Sequence, residues 1–382
     1  MTSLATVLSA EVGAPARELR VEAVSSYSSF LALEPVWNRL VNASGLDHPF
    51  LEHAWVRTWW DCFGAGSEPR ILVVREGDEP IAIAPLLADT TRMFGVKIRR
   101  LGFFYNSHVP RGGFIVARRE NEAYAAIWEH ISRYRDWDLV QLCQLPDDSP
   151  SLGAIEQFAR EDGCFTGTWI SGASPYIPID GSWQQYHTSL ATKHRSNLRN
   201  RFKRLREIGP VELEKVRERE EVDAALADGV RLEAAAWKQD AGTAIACDPR
   251  VSRFYSLLAR RAADKGWLRL NFLRTGQARV AFDFSLEYRG RLHLLKLGYD
   301  PEFAIYSSSN LLLSMVLEDA FRRGIKKYDF LGDSAHWKSC WAKDHLVHRW
   351  LFVFSPTLNG RLLHAVKFGL IPRLKAVYGG AR

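Results

Sequence analysis

The sequence predicts a chain of two mixed α/β domains, and three observations carry that expectation. At 382 residues and 43.4 kDa the chain exceeds one ordinary domain. Short apolar runs suited to strands alternate in both halves with longer runs at helical spacing. Between the halves, Ser171 to Pro178 is rich in turn formers, with Gly172, Pro175 and Pro178, and reads as a linker. The order of elements is similar on both sides, without a residue-level repeat.

In the first half, Val21 to Val41 reads as a strand then a helix, with Trp37 and Leu40 as core candidates, and His48, Pro49 and Phe50 break it. Leu51 to Cys62 follows as an aromatic-rich helix carrying Trp55, Trp59 and Trp60. Ile71 to Val74 and Ile81 to Leu87 flank Gly77 and Asp78, the pattern of a hairpin. A strand at Ile98 to Phe104, a glycine-rich connection at Pro110 to Gly113 and a short strand at Phe114 to Val116 come next. A helix at Ala123 to Tyr134, a strand at Leu139 to Leu142 and a helix at Ser151 to Glu161 complete the half.

The second half opens on a basic helix and continues through a strand at Val211 to Val216 and helices at Glu221 to Gln239 and Val251 to Lys265. Trp267 to Arg274 and Arg279 to Tyr288 form a hairpin around Thr275 and Gly276, and His348 to Phe354 is the final strand. The expected organisation is a flexible lead-in over 1–19, a first domain over 20–172, a second over 173–355 and an amphipathic helix over 356–382. Leu358 to Val377 alternates apolar residues with Arg361, Lys367, Arg373 and Lys375; it reads as a helix docked on the core, with a membrane-surface helix as the alternative.

Composition narrows the class. Hydrophobic residues at 47% with 25% charged are enough to build sizeable cores. Five cysteines without CxxC or CxH spacing argue against a disulfide framework and a zinc site, and a reducing, cytoplasmic compartment is expected. The N-terminus lacks the basic region of a secretory signal, and no apolar run reaches membrane-spanning length, so a soluble or peripheral protein is expected. Net charge is +7, and residues 187–206 hold seven Lys or Arg and no acid. The remainder balances at 44 basic against 44 acidic, so one helix supplies the whole excess.

Chemistry concentrates between Arg291 and Trp341. Leu292, Leu294, Leu295 and Leu297 suit a buried strand that Tyr299, Asp300 and Pro301 end. Ser307, Ser308, Ser309 and Asn310 precede the apolar run from Leu311 to Leu317, which makes a helix N-terminus and so an anion site. That helix ends at Gly324 after Arg322 and Arg323, and a short strand, Lys327 to Leu331, leads into Gly332 and Asp333.

Four passages in the second half resemble the GNAT-like acyltransferases of the cellulose-biosynthesis (CelD/BcsL-type) group, related to FemAB-like tandem-GNAT transferases. They are KHRSNLR from Lys193, GQARVAFDFSLEYRGRLHLLKLGYDPEF from Gly276, the turn Ser307 to Leu313, and KKYDFLGDSAHWKSCWA from Lys326. HPFLEHAWVRTWW in the first half carries a weaker likeness.

The resemblance implies two tandem GNAT-like domains, the first degenerate and the second catalytic, and a donor site for acetyl-CoA or another acyl-CoA without a metal. Tyr306, Ser307, Ser308, Ser309 and Asn310 would cradle the pyrophosphate, with Leu297 and Gly298 along the pantetheine. Relatives commonly carry Ser-Pro-Gly at this turn, where this chain has Ser-Ser-Asn. Candidate bases are Asp283, Asp300 and Asp333, and Tyr299 and Tyr306 are candidate acids for the leaving thiolate.

Arg195, Arg199, Trp337 and Lys338 are candidates for holding a saccharide, amine or lipid-linked acceptor. The basic helix also reads as a solvated face or, with Arg201, as a surface for nucleic acid, aminoacyl-tRNA being the alternative donor. A third reading is a non-catalytic scaffold in polysaccharide synthesis. His293, alternating with leucines, reads as structural.

Overall fold

A single sheet of eleven strands runs through both halves of the chain in a computed structural model that describes residues 18–235 and 244–373. Most of the expected lead-in, the end of the helix expected to Gln239 and the last residues of the C-terminal helix lie outside the described residues.

From one edge, the second half contributes Val211–Val216, Leu268–Thr275, Ala278–Tyr288, Arg291–Tyr299 and Lys327–Asp329. Phe165–Pro178 and Asp344–Phe354 follow, and the first half closes the sheet with Leu139–Pro146, Val96–Phe103, Leu86–Met93 and Glu68–Pro69. A smaller sheet holds Leu19–Val24, Ile71–Glu76, Glu79–Ala84 and Ile115–Val116. The strand expected from Ile81 to Leu87 is broken at Pro85, and Leu86 begins a second strand in the other sheet.

The expected linker at Ser171 to Pro178 is instead the end of the strand Phe165–Pro178, and residue 172 falls inside it. This strand pairs with Asp344–Phe354 along its length and with Lys327–Asp329 at its end. Proline lacks only the donor. Here the neighbour takes a carbonyl: Pro175 O accepts from Phe330 N at 3.0 Å. Asp344–Phe354 also pairs with Leu139–Pro146, so a strand from the far end of the chain completes the first half's sheet.

One core crosses the divide. Trp37, Phe50 and Trp55 of the first half pack in the same cluster as Phe254, Phe272, Phe282 and Phe284 of the second. Phe282 lies so close to the helix Val222–Ala235 that a Cβ at Gly229 would collide with its ring. On the opposite face, the helix Ser308–Arg322 buries Leu311, Leu312 and Leu317, and the basic helix Thr192–Arg206 adds Leu198 and Leu205. Each fully buried leucine contributes about 2 kcal/mol, so apolar burial fixes both helices on the sheet. Among the described residues no helix is long and apolar enough to cross a membrane.

Candidate active site

The strands Arg291–Tyr299 and Lys327–Asp329 run parallel for three residue pairs, ending at His293 and Asp329, and then diverge. Two local irregularities separate them. On the far flank Ser285 faces Leu294 and Phe284 faces Lys296, so Leu295 is an extra residue, a bulge that bends its strand. On the near flank the chain turns away through Leu331 and Gly332, with φ of 49° and 56°. A leucine in that region costs roughly 1–2 kcal/mol. Its burial and an N–H bond to Asp329 Oδ1 at 3.0 Å hold it there.

The fork opens on a cavity of about 230 Å³, lined by Leu295 and Lys296 on one side and by Leu331, Asp333 and Lys338 on the other. A larger cavity of about 420 Å³ shares Ser107 and His108 with it, and is walled by Trp59, Tyr105, Asp89 and Arg100 from the first half and Asp248 and Arg250 from the second. The two spaces meet at the Ser107–His108 loop.

Lys338 lines the smaller cavity, beside Asp333. Its ammonium donates to the carbonyls of Leu331 (2.5 Å) and Asp333 (2.9 Å). Burial lowers its pKa to about 8, against the opposing pull of the Asp333 and Asp329 carboxylates. Asp333 turns its carboxylate towards Gly172, where a Cβ would collide with Oδ1. The glycine that has the look of a linker residue is what leaves room for this side chain. Trp337 packs edge-on to Phe330 with ring centroids 5.7 Å apart, outside the cavity lining.

Behind the fork lies a buried charged cluster that sequence reasoning missed. Arg111, from the glycine-rich connection of the first half, donates to the Asp329 carboxylate and, at 3.3 Å, to His348 Nε2. Burial pushes the Asp329 carboxyl up, but the Arg111 guanidinium outweighs it and holds it below the usual range. His293 Nδ1 stands 3.9 Å from the same carboxylate and is fully buried, in keeping with a structural role. Burial lowers His293 and His348 to about 4, and His48 well below its ordinary value. The signal in the sequence was a single arginine between a proline and two glycines, too short a pattern to read.

The other candidates are dispersed. Asp283 is fully buried on the strand Ala278–Tyr288, where Ser285 (2.7 Å), Asn271 (3.2 Å) and Tyr328 (3.2 Å) donate to it. Burial raises its pKa to about 6. A wall of side chains encloses this candidate base. Gly298 is pressed against the helix Val222–Ala235, with Glu233 Cα 2.5 Å from where a Cβ would be. Leu297 and Tyr299 pack on the cluster beneath the helix Ser308–Arg322. Of Asp283, Asp333 and Tyr299, only Asp333 reaches the cavity.

At the turn before that helix the chain makes some contacts of its own. Ser307 adopts φ 49°, Ser308 is fully buried, and the Asn310 N–H donates to Ser307 O. Asn310 Oδ1 accepts from Trp341 Nε1 at 3.0 Å. Asp300 caps a 3-10 turn by accepting from Glu302 N. Tyr306 carries Arg204 over its ring at 5.6 Å, and Ser309 is half-buried beside it. The Arg195 guanidinium returns to Leu190 O and Thr192 Oγ1, whereas Arg199 is exposed.

The family described as an acetyltransferase (GNAT) domain matches residues 192–339. That range runs from the basic helix through both splayed strands to the helix that carries Lys338. The second half of the chain thus contains a GNAT-like domain within a mixed α/β fold.

Among solved structures, FemX is similar at 14% identity and a TM-score of 0.57, covering 86% of this chain and 97% of that one. A conserved protein of unknown function from Bacteroides thetaiotaomicron is similar at 10% identity and 0.55, covering 85% and 97%. The C-terminal domain of a putative lysylphosphatidylglycerol synthetase from Agrobacterium fabrum is similar at 10% and 0.51, covering 88% and 95%. Likeness at such identities is likeness of fold. No curated protein matches the sequence.

Proposed function

We propose that the chain is an acyltransferase that moves an acyl group, acetyl foremost, from CoA to an amine or hydroxyl of a saccharide or cell-envelope precursor, in the manner of the cellulose-biosynthesis group it resembles. The observation that carries this reading is the fork between Arg291–Tyr299 and Lys327–Asp329, with Lys338 half-buried in its wall. The reaction belongs in the cytoplasm, where the donor is made.

The donor supplies an acyl carbon activated as a thioester. The fork shelters that carbon from water, and the larger cavity gives the acceptor an approach past Ser107 and His108. A lysine with a pKa of about 8 is neutral in about a tenth of molecules at pH 7. In that form its amine takes the proton from the attacking nitrogen or oxygen. The resulting ammonium returns a proton to the departing thiolate, which balances the step. Asp333, beside it, favours the charged form and keeps the lysine from losing its proton too readily.

The acyl end of the donor fits the fork, whereas the phosphate end fits the Ser307–Asn310 turn poorly. Asn310 is bound to Trp341, and Ser308 is sealed. That observation favours aminoacyl-tRNA as a second reading of the donor, supported by the adjoining basic helix. Among the described residues Lys193, Arg199, Arg201 and Lys203 of that helix form no ion pair.

Calorimetry with acetyl-CoA and CoA tests the first reading, and tRNA binding across a salt series tests the second. Saturable acetyl-CoA binding that survives in Lys338→Met, with transfer lost, is the expected result. Binding of tRNA that disappears in Arg199→Ala/Arg201→Ala, without CoA binding, selects the second donor. Binding of neither leaves a scaffold and ends the enzyme reading.

A further inference from the structure

The C-terminal segment from Thr357 to Arg373 buries one side and leaves the other bare. Leu363 is 4% exposed and packs among Ile98, Leu139, Phe352 and Phe354. Phe368 lies flat on the strand Phe165–Pro178, because a Cβ at Gly167 would stand 2.5 Å from its ring. On the outer side Leu358, Leu362 and Leu370 are 85%, 62% and 51% exposed. Ala365–Leu370 is a π-helical turn. Its larger number of residues per turn swings Leu370 back towards the line of Leu358 and Leu362.

A second apolar tip stands beside this helix. The hairpin of Leu86–Met93 and Val96–Phe103 turns at Phe94 and Gly95, and Met93 packs on the same cluster as Leu363. Phe94 is 47% exposed at φ 51°, and Val96 is 45% exposed. An aromatic ring there is both strained and wet, where glycine or asparagine would be neither. Neither cost serves the fold.

Charge identifies what the two tips face. From Thr357 to Arg373 there is no acid, and Arg361 and Arg373 are exposed cations, while Lys367 turns inward over the Trp169 and Phe352 rings; the exposed Arg92 and Lys97 flank the hairpin tip. The acids just before the strand Leu139–Pro146, Asp136 and Asp138, are neutralised by Arg70 and Arg99. Exposed leucines and a phenylalanine among cations suit the boundary between lipid headgroups and acyl chains, where basic residues meet phosphates.

We propose that this face, formed by the outer side of Leu358–Leu370 and the tip Phe94–Val96, docks the protein on a membrane carrying anionic headgroups. A soluble anion would account for the arginines but not for the leucines. Docking stands independently of which donor the fork takes.

Flotation of the full chain with vesicles of phosphatidylcholine, with and without phosphatidylglycerol, tests the proposal. The protein is expected to rise with the anionic vesicles and to be released by salt. Leu362→Glu should weaken binding by about tenfold or more, and Arg361→Gln by roughly fivefold. Phe94→Gly should weaken binding while raising the melting temperature, because glycine suits that φ; this separates lost docking from lost folding. Two results overturn the proposal: no flotation with either vesicle, or a dimer in sedimentation that Leu362→Glu converts to a monomer while vesicle binding is unchanged.

Discussion

The guanidinium of Arg111, from the first half of the chain, donates to the carboxylate of Asp329 at the fork where the parallel strands separate. Both residues are buried, at 2% and 0% exposure, so neither can be satisfied by water if its partner is lost. The bond ties the loop that leads out of the shared cavity wall to the strand end that shapes the smaller cavity. Arg111→Ala is expected to cost about 3–5 kcal/mol, because it strands a buried carboxylate. Arg111→Lys should restore little, since a lysine cannot bridge Asp329 and His348 together. Chemical denaturation measures both, and a loss below about 1 kcal/mol for the alanine variant contradicts the assignment.

The histidines around that pair predict acid sensitivity. His348 accepts from Arg111 through Nε2, which requires a neutral ring. His293 and His348 are held at about 4 by burial, below the ordinary value of 6.5. A depressed pKa contributes stability that is present above the unfolded value and lost as pH falls through the folded one. Each ring should therefore withdraw up to about 3 kcal/mol between pH 6.5 and 4. Denaturation midpoints across that window should fall, and His348→Gln should flatten a portion of the slope.

Asp283 predicts the opposite slope. Its carboxyl is raised from 3.8 to about 6. A raised carboxyl pKa favours the fold at low pH, an advantage lost as pH rises through about 6. Asp283→Asn removes that dependence and should leave stability at neutral pH unchanged or higher, while Asp283→Ala strands Asn271, Ser285 and Tyr328 and should cost more. Transfer activity is expected to survive in the asparagine variant. A loss of about 100-fold or more with the fold intact would return Asp283 to the catalytic centre.

The proposed role of Lys338 as the base predicts a pH dependence for the transfer. With a pKa of about 8, the rate at saturating donor should climb about tenfold per unit up to pH 8 and then level. Lys338→Met should abolish that limb and most of the rate, and Lys338→Arg should not restore it because arginine stays charged. A rate independent of pH between about 6 and 9 in the wild-type protein excludes the lysine as base.

Much of the architecture is legible in the sequence because it is written in short-range patterns. The helix Ser308–Arg322 shows its seryl start and its glycine stop, and the strands at Ala278–Tyr288 and Arg291–Tyr299 show their apolar runs. The basic helix is visible in charge alone, with Leu198 and Leu205 as its buried side. Lys338 and Asp333 stand out by their place after a strand end, and both line the cavity.

The misread segments depend on distant partners. Ser171 to Pro178 has the composition of a linker, yet Lys327–Asp329 and Asp344–Phe354 supply neighbours on both sides and draw it out as a strand. The turn from Ser307 to Asn310 is a different case: it does precede the helix as expected, and the Asn310 side chain accepts from the indole of Trp341, thirty-one residues on.

The sequence by itself determined the element types, the two-domain α/β class and the concentration of charge on one helix, because propensity, capping and period act within a few residues. Only the tertiary structure decided where the cavities lie and what lines them. The bulge at Leu295 and the left-handed turn at Leu331 drive the parallel strands apart, and Arg111 reaches across from the first half to hold the fork. Register, cavity and buried charge arise from packing between residues far apart in the chain, and no local pattern encodes them.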